Sequence, residues 1–166
     1  MGLITGRVRQ LIGAVDEVVW ATDPENDSLA NVVAYLCDYV EQFLEPASIS
    51  CRIEVTPDLP DLTLGAEARR NLLLAVKEAL SNAVRHAGAQ TILLRIQLEQ
   101  GSLLIQIIDD GQGFDVSNGR DGGHGISNIK RRMEILKGEA KIRSEPGDGT
   151  EVTLRLPLPK TIVHQA

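Results

Sequence analysis

Asp109 holds a position that folding alone does not explain. It ends the run Leu103-Leu-Ile-Gln-Ile-Ile-Asp109, and a strand's period of two puts it on the inward face of Leu103, Ile105 and Ile107. A carboxylate aimed at a core is costly unless a donor or a ligand meets it. Gly111 and Gly113 follow at once, and residues without a Cβ let a ligand come close. Thr150 repeats the signal, because in Thr150-Glu-Val-Thr-Leu-Arg-Leu156 it shares the parity of Val152, Leu154 and Leu156. Two inward polar groups suggest a pocket; the alternative is a strand-end turn capped by Asp109.

A second set lies on a helix. Glu78 and Asn82 stand at i and i+4, about 40° apart on one face. Their oxygens suit Mg²⁺, and the carboxylate can also orient a water; a solvated face is the plainer reading. Arg85, one turn further, is placed to meet phosphate, while His86 reads as a structural or surface histidine. The loop Gly119-Arg-Asp-Gly-Gly-His-Gly125 runs into a helix whose free N–H groups and dipole favour an anion by about 0.3–1 kcal/mol. A mobile linker is the alternative there, with His124 as a plain loop residue. Lys130-Arg131-Arg132 reads as a solvated helix face, or else as a contact for a partner.

Familiar phosphate motifs are absent. Val116 stands where a dinucleotide fingerprint needs its third glycine after Gly111-Gln-Gly113, and no Gly-Lys-Ser/Thr exists for a P-loop. Aromatics make up only 3% of the chain and the formal net charge is −6, so base-stacking platforms and nonspecific phosphate-backbone binding are both poor fits. Nucleic acid is therefore not expected as a partner, but a small anion in a local pocket is allowed. Cys37 and Cys51 lack metal-ligand spacing, and Cys51 alternates with Ile53 and Val55 as a buried small hydrophobe, which suits a reducing, cytoplasmic setting. No apolar run approaches the roughly 18 residues of a membrane span.

The elements that must position these residues follow from periodicity. Residues 3–20 have helical content, and the capping and turn residues of 21–28 interrupt it. A helix is predicted from Leu29 to about Leu44, a strand at 49–55, and a long helix at about 66–87 with Gly88 as its C-cap. In that helix Leu72, Leu73, Val76, Leu80, Ala83 and Val84 form the buried stripe, and Asn71, Glu78, Asn82 and Arg85 share another side. An antiparallel pair follows at 91–98 and 103–109, then a helix at about 126–137 ending at Gly138, then strands at 140–145 and 150–156. This is an α+β class chain: a two-layer α/β sandwich with helices on one face of a mostly antiparallel sheet. The other face would carry Arg52, Glu54, Arg95, Gln97, Lys141 and Arg143, and residues 160–166 form a tail.

Taken in order, the pieces resemble the Bergerat-fold (GHKL) ATPases, specifically the catalytic domain of sensor histidine kinases. Glu78-Ala-Leu-Ser-Asn82-Ala-Val-Arg-His86-Ala is similar to the family's N box and Asp109-Asp-Gly-Gln-Gly113-Phe to its G1 box. Gly123-His-Gly125-Ile126 resembles the G2 box and Gly147-Asp-Gly149-Thr150 the last glycine box. The short lid and single Gly-x-Gly resemble the subfamily of nitrate-sensing and desaturase-regulating kinases. Residues 16–29 resemble that subfamily's junction between dimerisation helix and ATPase domain.

The resemblance implies a mixed sheet with ATP held between helix and lid. Asp109 would bind the adenine amino group with Thr150 supporting it through water, Asn82 would ligate Mg²⁺, and Glu78 would be the catalytic residue, assisting at the metal or water. Arg85 would face the phosphates and His86 would flank the nucleotide. Gly111 and Gly113, with Gly123, His124, Gly125 and Ile126 of the lid, would complete the nucleotide site. It also implies a response regulator, a dimerisation and phosphoacceptor domain, and a homodimeric parent with this domain in the cytoplasm, a design that allows membrane anchoring of the parent. Histidine occurs only at 86, 124 and 164, so the acceptor histidine is expected outside this chain. Residues 1–28 are expected to be the end of the dimerisation helix and its linker, and 29–159 the ATPase domain. An anti-sigma-type serine kinase and a nucleotide-gated module without chemistry are the alternatives.

Overall fold

The computed structural model describes residues 19–20, 23–116 and 123–159. The expected helical stretch before Val19, residues 117–122 of the glycine-rich loop and the tail at 160–166 lie outside the described residues.

Helix α1 spans Leu29–Leu44, and its N-cap is Ser28, whose hydroxyl accepts from the Asn31 N–H at 3.1 Å. Ser28→Ala should cost about 1 kcal/mol, as for a lost helix cap, seen as a lower urea midpoint; an unchanged midpoint would show that the tertiary contacts alone hold this end. Leu29, Val32, Val33, Leu36, Val40 and Leu44 are its buried stripe. Strand β1, Ser50–Val55, leads to helix α2, Ala66–Asn82, which continues as a π-helical turn over Ala83–Ala87. Gly88 closes it in the left-handed conformation, as expected of a C-cap.

Strands β2, Thr91–Glu99, and β3, Ser102–Asp109, pair antiparallel. Helix α3, Gly123–Ile135, precedes β4, Glu139–Ser144, and β5, Thr150–Pro157. The sheet order is β1-β2-β3-β5-β4, with β1 parallel to β2 and every other pairing antiparallel. Ile92, Leu94, Ile96, Leu103, Ile105, Ile107, Val152, Leu154 and Leu156 form one core with the apolar stripes of the helices. On the opposite face Glu54 bridges Arg52 and Arg95, so the expected polar face is present.

Several local expectations shift, each for a physical reason. Cys51 and Ile53 are only half-buried and Val55 is exposed, because β1 is an edge strand and the helices cover its inward set incompletely. Helix α3 starts three residues earlier than periodicity suggests, at Gly123. At its other end Lys137, with φ 55°, takes the left-handed position expected for Gly138; Gly138 is required instead for space, since a Cβ there would collide with the Arg155 carbonyl. Val84 is half-buried because the π-turn changes the face that residues past Asn82 present. Arg69, absent from the predicted stripe, is 2% exposed and donates to the carbonyls of Leu64 at 2.7 Å and Asp23 at 3.0 Å. The boundary segment is thereby tied to the domain, where Trp20 also stacks on Tyr35 with ring centres 3.8 Å apart.

Candidate functional site

A cavity of about 940 Å³ opens between α2, its π-turn, the start of α3 and the inward ends of β3 and β5. Register explains its floor: Asp109 and Thr150 are direct partners across the β3–β5 ladder, so both inward polar groups arrive side by side. Asp109 is 7% exposed. Its carboxylate accepts from the Gly111 N–H at 2.9 Å and from the Thr150 N–H. Burial pushes the carboxyl above the usual carboxylate range, those two donors pull it down, and the neighbouring Asp110 charge raises it further. Asp110 faces the other way, is exposed, and is held below the usual range by the N–H groups of Thr91 and Gln90 at 2.9 and 2.8 Å. Of two adjacent aspartates, one ties strands together and the other lies against the cavity with a costly charge.

Helix α2 supplies the wall through Glu78 and Asn82, with Arg85 and His86 exposed on the π-turn at the rim. Gly125, in the first turn of α3, lies directly against this pair: a Cβ there would sit 2.6 Å from Glu78 Oε1 and 3.1 Å from Asn82 Nδ2. His124, Gly125, Ile126 and Gly113 also line the cavity. Gly123 opens α3 and Gly111 stands behind the wall, where a Cβ would meet Ala87 at 2.5 Å. Gly111 therefore acts as a close-packing residue between β3 and the π-turn. Among the described residues no group of three or more His, Cys, Asp or Glu could hold a metal ion alone. A cation at Glu78 and Asn82 would need further oxygens from a bound ligand.

Sequence reasoning missed the residues that brace this cavity. Gln112 donates its side-chain amide to the His86 carbonyl at 2.6 Å and its backbone N–H to the Ala87 carbonyl at 2.8 Å. Its own carbonyl accepts from the Gly147 N–H at 2.6 Å, so one residue joins the π-turn to the β4–β5 turn. Ser144, at the end of β4, bonds to Phe114, Gly149 and Thr150. Only its place one residue before the Glu145-Pro-Gly-Asp-Gly149 turn could have drawn notice. In the basic run, Lys130 and Arg131 are exposed as a solvated face, whereas Arg132 lies 3.4 Å from Asn71 Oδ1 on α2.

Such a sheet, covered on one side by helices with a carboxylate on the cavity floor, is the fold of histidine kinase catalytic domains. The solved histidine kinase domain of Erythrobacter litoralis EL346 blue-light activated histidine kinase superposes with a TM-score of 0.65 at 23% identity, over 83% of this chain and 64% of that one. Residues 67–160 match the family described as histidine kinase-, DNA gyrase B-, and HSP90-like ATPase, and this chain belongs to that family. Two curated relatives place it nearer the kinases. The histidine-protein kinase/phosphatase DegS of Brevibacillus brevis is 34% identical over 87 residues, 52% of this chain and 22% of DegS. An uncharacterised sensor-like histidine kinase of Chloroflexus aurantiacus is 32% identical over 126 residues, 72% of this chain and 21% of the relative. The chain thus spans about a fifth of the length of these relatives, and it is an ATP-binding domain of the histidine kinase type. No helix among the described residues is long and apolar enough to cross a membrane.

Proposed function

We propose that this domain binds Mg-ATP and passes its γ-phosphate to a histidine outside this chain, for relay to a response regulator, as part of a homodimeric two-component sensor kinase of the nitrate-sensor and desaturase-regulator type. Residues 29–159 would be the ATPase unit and residues 1–28 the end of the dimerisation helix. The observation that carries the reading is the buried Asp109 carboxylate beside Thr150 on the floor of a cavity whose wall bears Glu78 and Asn82.

A buried acceptor of this kind suits the amino group of adenine, because a charge-assisted bond offsets the carboxylate's desolvation. On the wall of the same cavity Asn82 and Glu78 are neighbours on α2, and their oxygens fit a hard cation with phosphate oxygens as its other ligands. Mg²⁺ bound there would neutralise charge on the phosphates. Arg85 at the exposed rim is placed to attract them, and His124 and Ile126 on α3 flank the opening. Glu78 would orient the metal's water or the incoming nucleophile.

The test mixes the chain with γ-labelled Mg-ATP and a histidine-bearing dimerisation hairpin. Label is expected on histidine, labile in acid and stable in base; acid-stable label on serine would favour the anti-sigma-type kinase, and no transfer would favour a nucleotide-gated module. In calorimetry of the chain with Mg-ATP, Asn82→Ala should weaken Mg²⁺-dependent ATP binding about tenfold, the low end of what losing a supporting group at a metal site costs. Equal Mg²⁺ dependence in both proteins would remove Asn82 from the site.

A further inference from the structure

Ser144 does not line the cavity, yet its hydroxyl makes three bonds that fix what Thr150 can offer to a ligand. It lies 2.9 Å from the Phe114 N–H, 2.8 Å from the Gly149 carbonyl and 3.0 Å from Thr150 Oγ1. A serine hydroxyl has one proton to give and two lone pairs to accept with. The Phe114 N–H can only donate and the Gly149 carbonyl can only accept. Gly149 is buried, and leaving its carbonyl without a donor would carry the cost of an unmade bond. The Ser144 proton therefore goes to Gly149, and both lone pairs take protons, one from Phe114 and the other from Thr150. The Thr150 proton is committed to Ser144, so toward the cavity Thr150 presents lone pairs alone.

We infer that Ser144 is a positioning residue for purine selection: by claiming the Thr150 proton it makes the cavity floor acceptor-only and so selects a 6-amino over a 6-oxo purine nucleotide. The inference rests on the ATP reading above. Asp109 as a carboxylate can only accept, and Thr150 beside it can then only accept too. An amino group supplies donors to this floor. A carbonyl at the same place meets lone pairs and is rejected, as buried unpaired groups generally are. Ser144 also ties Phe114, where the chain leaves the floor toward the lid, to the β4–β5 turn.

Calorimetry of the chain with Mg²⁺ and ATP, GTP or ITP tests this. The parent should prefer ATP. Ser144→Ala frees the Thr150 hydroxyl to donate into the cavity, and preference for ATP over ITP and GTP should fall about tenfold, while Ser144→Thr, which keeps the hydroxyl, should restore it. In a Thr150→Val background Ser144→Ala should change the preference no further, because the residue through which it acts is gone. If Ser144→Ala weakens all three nucleotides equally, Ser144 is only a brace and the inference fails. If it does not fold, Ser144→Cys replaces it in the same comparison, with the same two outcomes. If the parent binds no nucleotide at all, the ATP reading fails first and the inference with it.

Discussion

Asp109→Asn should lower ATP affinity by about 1.5–3 kcal/mol, the usual worth of a hydrogen bond to a charged group, or roughly 10- to 150-fold. The same substitution should not lower stability at neutral pH. The folded-state pKa of Asp109 is raised, chiefly by burial, so the folded protein holds this proton more tightly than the unfolded chain does. Above the folded pKa the charge costs stability; as the pH falls through that value toward the unfolded pKa the penalty fades. Asn carries no such penalty. Its midpoint relative to the parent should therefore be most favourable near pH 7 to 8 and lose that advantage toward pH 4. Calorimetric ATP titration and urea unfolding across this range read both effects. Unchanged ATP affinity would sink the adenine assignment, and a large loss of stability at pH 7 would show Asp109 to be a structural acceptor.

Gly113→Ala should be among the most damaging small substitutions in the site, costing more than about 3 kcal/mol of folding stability, the class of a buried steric clash. Gly113 has φ 60°, a region that L side chains avoid. A Cβ there would also collide with the Glu145 carbonyl and stand 2.8 Å from the Gly149 carbonyl. Both are backbone atoms of the β4–β5 turn, and neither can swing aside as a flexible side chain could. Gly147 is a matched control: its φ is 90°, but nothing lies within 4 Å of its Cβ position. Gly147→Ala should show only the conformational cost, about 1 kcal/mol. Similar urea midpoints for the two variants would mean that the contact with the turn yields.

The elements were legible because most of them obey a single period. Leu29–Leu44 keeps helical spacing throughout and has an explicit cap in Ser28, and β2 and β3 alternate without interruption. Asp109 and Thr150 were legible as inward polar exceptions to that alternation, although nothing local says that they are partners; only the β3–β5 register does. What escaped detection depends on contacts between distant segments. Arg69 reads as a surface arginine until the Asp23 and Leu64 carbonyls close over it. Gln112 and Ser144 lie in short polar stretches with no pattern to break, so their bracing roles exist only once the β4–β5 turn packs against the π-turn. Gly138 reads as a helix end but is needed for the absence of a Cβ, not for positive φ, and at Gly111 the space without a Cβ is filled by Ala87 and not by a ligand.

The strand order bears on how the domain comes together. β5 comes last in chain order among the described strands and sits inside the sheet, between β3 and β4. Its β4 partner is local, across one tight turn, but its β3 partner lies beyond the whole of α3, so closing that ladder carries the entropy of a long loop. Until β5 docks, Asp109 has no Thr150 beside it and the cavity has half a floor. Nucleotide binding competence should therefore appear only at the final stage of folding. During synthesis, an emerging chain could complete α1, α2 and the β2–β3 hairpin before it had any means of holding ATP.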